Sequence, residues 1–194
     1  MKKKLISFQE KLMDIILLSG IVLIGILSLI GAVYSFIVAF TYLNEEKQNK
    51  WTAVFSLKLF LSSVFIELFL LLTMFILFLN IQLLSSLSVF GRVSLFSIVL
   101  LFFIVGIPFF FVLTWLISKK NTVNKKIIEQ ALYIVFVKFP LWLVFIAFIF
   151  FVTLFIYMDK ALIIVGIGGV ILFFDYLIKK GTRQLLSIDE GAHL

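Results

Sequence analysis

Long uncharged apolar runs alternate with short basic segments along this chain. The runs are 15–44, 68–91, 93–118 and 139–158, and in a fifth, 161–174, only Asp175 intervenes before the next apolar residues and Lys179. Uncharged stretches of ~18 or more residues read as membrane-crossing helices. Helix is the expected form because hydrocarbon offers no water to the backbone. A β-barrel strand would alternate apolar and polar positions, and these runs are apolar on all sides.

The first run decides the topology. Taken as one span, 15–43 gives five crossings, with six basic residues inside and nine outside. Cytoplasmic segments ordinarily carry the excess of Lys and Arg. Folded as a helical hairpin, the same run leaves thirteen basic residues inside: Lys2, Lys3, Lys4, Lys11, Lys47, Lys50, Lys119, Lys120, Lys125, Lys126, Lys179, Lys180 and Arg183. Only Arg92 and Lys160 are then outside, with Lys58 and Lys138 near the inner ends of spans. The hairpin is short of length, since about 29 helical residues reach ~44 Å and two crossings of the apolar core need ~60 Å. Gly25, Ser28, Gly31 and Ala32 supply a break. One long tilted helix, with its glycines packed on neighbours, is the alternative.

The pattern predicts an all-α polytopic transmembrane bundle of about six helices, forming one domain over 1–194 with both termini cytoplasmic. The expected helices are 5–28, 30–46, 52–82, 93–118, 124–157 and 161–187. Pro108 and Pro140 are expected to kink the fourth and fifth. The outer loop is expected at Ser85, Ser86, Ser88 and Gly91. Tyr42, Trp51, Trp115, Tyr157 and Tyr176 fall near the expected interfaces, where aromatic belts belong.

Composition agrees: 63% of the 194 residues are hydrophobic and 14% charged, against ~45–50% and ~25% in soluble domains. The net charge of +7 is read as topology and not as a nucleic-acid surface. The basic start is read as the inner flank of the first helix, because Glu10, Lys11 and Asp14 interrupt it and the following run exceeds the ~7–15 residues of a signal core. Cysteine is absent and His193 is the single histidine, so disulfides, thiol chemistry and Cys- or His-based metal sites are not expected.

Several segments carry a family pattern. Asp14-Ile15-Ile16-Leu17-Leu18-Ser19 precedes Ile26-Leu27-Ser28-Leu29-Ile30-Gly31-Ala32. A basic-aromatic helix start follows at Trp51-Thr52-Ala53-Val54-Phe55 with Lys58, and then Lys126-Ile127-Ile128-Glu129-Gln130-Ala131-Leu132 before Pro140. In this order the chain resembles the YesL family of small bacterial membrane proteins, a domain of unknown function, over about 10–185. Ile26 stands where the family has Pro, Leu29 where it has Thr, and Ser19 where it has Asn. The resemblance implies a bacterial cell-membrane location and a role beside carbohydrate ABC importers. It brings no catalytic residues.

Chemistry-bearing residues inside the runs are few. Glu67 is the sharpest candidate, near mid-membrane on the third helix, where a charge costs ~2.5–3.5 kcal/mol on insertion scales and should face protein or water. It reads either as a proton or substrate site or as a carboxyl bonded to a neighbouring helix or to Ser63. Lys138 and Asp175 fall at comparable depth on the fifth and sixth helices. They are expected to form an interhelical salt bridge, unless Lys138 snorkels to the interface. Lys119, Lys120, Lys125 and Lys126 flank 121–124 and suit either a cytosolic partner or anionic lipid. Gly166-Ile167-Gly168-Gly169 reads as close helix packing, since the dinucleotide fingerprint is incomplete and lies within an apolar helix. No zinc, nucleophile-elbow or P-loop motif occurs. No catalytic residue, cofactor or metal is therefore assigned.

The expectation is a non-enzymatic membrane protein, accessory or regulatory to a carbohydrate ABC importer. The alternatives are a small homo-oligomeric transporter or channel with Glu67 in its path, and an assembly factor for other membrane proteins. Its expected partners are the bilayer, importer subunits and further copies of itself.

Overall fold

The structure, a computed structural model, describes residues 2–28, 31–44, 57–82 and 88–191, and the side chains of 2–8, 57–58 and 182–191 fall outside that description. Lys47, Lys50, Trp51, Ser85, Ser86, His193, residues 30, 45 and 46 of the expected second helix and residues 52–56 of the third lie outside the described residues. Among those described, every regular element is helical. The order is α1 (Lys2–Leu27), α2 (Ala32–Asn44), α3 (Leu57–Gln82) and α4 (Val89–Leu101), which passes through a π-helical turn, Phe102–Gly106, into α5 (Ile107–Lys120). Then come α6 (Lys125–Val137), α7 (Phe139–Met158), a 3₁₀ turn at Lys160–Leu162 and α8 (Ile163–Gly191).

Among the described residues, four stretches are long and apolar enough to cross a membrane: Leu59–Gln82, Val89–Lys120, Phe139–Met158 and Lys160–Gly181. They read the chain as a multi-pass membrane protein. The first apolar run is resolved as a hairpin. α1 and α2 pack antiparallel, with Tyr42 Oη donating to Asp14 Oδ1 (3.1 Å) at the open end. At the closed end Gly25 lies directly against Ser35, where a Cβ has no room.

The hairpin is shallower than a pair of spans. Its second arm has 13 residues, about 20 Å of helix against an apolar core of ~30 Å. α2 runs beside α5, with Phe36 edge-on to Phe110 at 5.3 Å and Asn44 Nδ2 donating to Ser118 Oγ at 3.3 Å. That register puts the hairpin apex level with Gly106, near the middle of the Val89–Lys120 stretch. The hairpin therefore enters the bundle from one end and turns back inside it.

The core collects around this insert. Leu18, Val22, Val33, Ile37 and Phe40 of the hairpin meet Trp115, Trp142, Phe145 and Phe174 of the surrounding helices. Every residue from Phe111 to Ile117 is buried, whereas α4 buries only Leu95. Beyond the apex the helices are largely uncovered, as along Phe69, Phe75 and Phe78 of α3 and Phe150, Phe151 and Phe155 of α7.

Both prolines shape helices, each differently from a simple kink. Pro108 has no N–H to continue the ladder, and the π turn immediately before it absorbs the mismatch. Pro140 starts a new helix. The expected single helix over 124–157 is two helices, divided at Lys138, whose φ of −106° and ψ of 28° leave the helical region.

The glycine cluster of α8 is a packing device at one position above all. A Cβ on Gly168 would strike the Ile15 carbonyl and the Ser19 hydroxyl of α1, whereas one on Gly169 would meet nothing within 4 Å. Gly168→Ala is therefore expected to destabilise the protein by about 1–3 kcal/mol, with Gly169→Ala close to neutral. Thermal unfolding of the two variants in detergent, followed by circular dichroism, checks the difference.

Candidate intramembrane site

α1 ends at Leu27 and α2 begins at Ala32, level with the middle of the Val89–Lys120 stretch, and the backbone groups freed between two apolar helices need partners. Ser28 Oγ turns back to donate to the Gly25 carbonyl at 2.7 Å. Gly31 adopts φ of +132°, a conformation that a Cβ disfavours, and its carbonyl accepts from Ser35 N at 2.8 Å to open α2. The Gly31 and Ala32 N–H groups donate to Glu67, the first to Oε2 at 2.8 Å and the second to Oε1 at 3.1 Å. Glu67 is 7% exposed. A carboxyl from α3 thus caps α2 across the bundle, at the helix end where the macrodipole favours negative charge.

Both carboxyl oxygens of Glu67 are engaged with the hairpin. Ser63, the expected alternative partner, donates to the Phe60 carbonyl of its own helix at 2.7 Å. One turn further along α3, Leu70 and Met74 begin a cavity of about 360 Å³ that continues over Phe102, Gly106 and Phe110. Its lining is apolar. A smaller cavity of about 170 Å³ shares Phe111, Ile149 and Val170 with it and reaches Thr153 and Gly166. The space lies where α1 and α2 stop.

Lys138 and Asp175 do not make the expected ion pair. Asp175 Oδ2 pairs with Lys179 Nζ at 2.7 Å, one turn along α8, and Oδ1 accepts from Trp115 Nε1 at 3.2 Å. Lys138 instead occupies the α6–α7 junction, its N–H donating to the Ile134 carbonyl at 3.0 Å. Trp142 Nε1 reaches that same carbonyl at 3.3 Å and pins the junction. A lysine on the same helix face, already within reach, satisfies Asp175 without a second helix.

The basic loop is ordered by local chemistry. Asn121, at φ of 51°, ends α5, and Asn124 Oδ1 accepts from Ile127 N at 3.0 Å to start α6. Lys119 lies over the Trp115 ring at 4.4 Å, Lys120 donates to Gln130 at 2.7 Å and Lys125 faces Glu129 at 3.6 Å. Lys126 is exposed beside them.

Ser19 joins these polar residues, although its sequence context marks it only as a polar position in an apolar run. Its hydroxyl meets the Ile164 carbonyl and accepts from Gly168 N at 2.8 Å, so it enters the backbone ladder of α8. Gly168, which brings the two backbones together, is the sequence signal for it.

Comparison with protein-family models, curated proteins and solved structures finds no match to this chain. The site is accordingly interpreted from its own geometry.

Removing the cap tests it directly. Glu67→Ala leaves two N–H groups unsatisfied, at roughly 1–3 kcal/mol each, and is expected to lower the unfolding midpoint clearly. Glu67→Gln retains an accepting oxygen and should fall between this variant and the parent. Equal midpoints for all three would show that the cap does not hold the hairpin.

Proposed function

We propose that this chain is a non-enzymatic, multi-pass protein of the bacterial cell membrane, with both termini cytoplasmic, that acts as an accessory or regulatory component of a carbohydrate ABC importer. The observation that carries the non-enzymatic reading is how the buried polar groups are used. Glu67 caps α2, Asp175 joins Trp115 to Lys179, and Ser19 joins α1 to α8. These groups hold helices together, while wide apolar faces of α3, α4 and α7 stay uncovered. Such a distribution suits a protein that works by helix-face association. Carbohydrate and importer come from the YesL resemblance.

The transporter reading draws on a different observation. A discontinuous helix ending at mid-membrane beside a cavity is an arrangement found in secondary transporters. In this reading Glu67 would have to leave α2 during the cycle, and Glu67→Gln would abolish flux while leaving assembly intact.

Affinity capture at native expression in mild detergent, read by mass spectrometry, is the deciding experiment. Stoichiometric recovery of ABC permease or ATPase subunits is the expected outcome. Recovery of the protein alone as a homo-oligomer favours transport, and loss of other membrane proteins on its deletion favours an assembly role.

Topology is checked separately, because the chain has no native cysteine. Single cysteines replacing Gln48 and Thr122 should react only from the cytoplasm, and one replacing Ser86 only from outside. Thr122 is preferred to Asn121, whose left-handed backbone disfavours a cysteine. External labelling at Gln48→Cys would overturn the orientation.

A further inference from the structure

We infer that α6 is an interfacial helix that lies along the inner membrane surface and binds the headgroups of anionic phospholipids. The inference rests on the multi-pass, termini-inside topology proposed above but not on association with an importer.

The argument begins with depth. Phe145 of α7 packs edge-on against Phe111 of α5 at 5.0 Å. Trp142, nearly one turn earlier in α7, stacks on Phe174, and the adjacent Asp175 reaches Trp115, one turn nearer the end of α5. α5 and α7 are thus antiparallel, and the start of α7 lies level with the last turn of α5. α6 joins these two points. It begins and ends at nearly the same depth, so it runs along the face of the bundle and does not cross it.

Its side chains fit that position. Ile127, Ala131, Ile134 and Val135 are buried against the bundle. A second apolar row, Ile128, Leu132 and Phe136, follows the i, i+4, i+8 spacing of one helix flank and is 40%, 39% and 65% exposed. Among the described residues, nothing covers this row fully. Three residues after Phe136 the chain enters α7, whose exposed Phe139, Leu143 and Val144 belong to the Phe139–Met158 stretch that is long and apolar enough to cross a membrane. The bilayer that covers one face therefore reaches the other.

Charge selects the headgroup. Lys119, Lys120, Lys125 and Lys126 crowd the start of α6 with Glu129 as the nearby acid. Basic side chains beside an apolar helix flank at the inner surface attract anionic lipid within a screening length of ~10 Å. A helix of this character places its apolar flank at the boundary between headgroups and acyl chains.

The test uses the full chain in nanodiscs of phosphatidylcholine alone or mixed with phosphatidylglycerol. A spin label on Phe136→Cys reports depth through its relative accessibility to oxygen and to a water-soluble nickel chelate. Native mass spectrometry of protein released from the mixed nanodiscs reports which lipid stays bound. The expected result is an oxygen-accessible label and phosphatidylglycerol retained several-fold over phosphatidylcholine. That preference should be lost when all four lysines become glutamine, with helical content in detergent by circular dichroism retained. A water-exposed label would overturn the proposal and mark α6 as a surface for a soluble partner. A lipid-buried label without headgroup preference, or a preference that survives lysine removal, would overturn the anionic-lipid assignment. Failure to capture importer subunits would leave this result untouched, and an inverted cysteine-labelling pattern would reassign the leaflet without changing either nanodisc readout.

Discussion

An apolar medium accepts no unpaired backbone, and the hairpin formed by α1 and α2 breaks its ladder inside one. The two hydrogen bonds from Gly31 and Ala32 to Glu67 make this permissible. They also tie the hairpin to α3, so the element that satisfies the break also positions the insert in the bundle. The side-chain core around Val33, Ile37 and Phe40 forms because the hairpin is held there. A carboxyl deep in a membrane is usually suspected of transport chemistry. Here its geometry gives it a structural task that an apolar residue could not perform.

The bundle consequently has two unlike halves. Around the hairpin, small residues and paired polar groups draw the helices close: Gly168 against Ile15, Ser19 within the ladder of α8, and Asp175 between Trp115 and Lys179. Beyond the apex no described segment is inserted, and the helices border open apolar clefts and face outward with phenylalanine and leucine. The tightest backbone approaches, at Gly25 and Gly168, belong to the half around the hairpin, and broad exposed apolar faces belong to the other.

Much of this architecture was legible in the chain. The apolar runs marked the crossing helices, and the asymmetry of lysines favoured a hairpin over a single span. Gly31 marked its break. The depth of Glu67 and its need for a partner were also readable, but the identity of that partner was not. The partner is a pair of backbone N–H groups, and these leave no trace in a pattern of side chains. Asp175 was assigned to Lys138 because both fall at similar depth, yet position along a membrane normal does not specify azimuth. Lys179 had the advantage of the same helix face. The division of α6 from α7 was signalled by Pro140, whose presence permits either a kink or a fresh start. Continuous apolarity through 139–158 obscured the choice.

The π turn at Phe102–Gly106 has a consequence for how this chain tolerates change. Such a turn amounts to one residue wedged into a helix, which rotates everything before it by about 100° relative to everything after. The row of α5 that faces the core is therefore not continued by the same row in α4; it swings outward at the wedge. The two halves of the Val89–Lys120 stretch are one continuous rod whose rows face different surroundings. Substitutions in α4 therefore remodel an outward face without disturbing the registry on which the buried side of α5 depends.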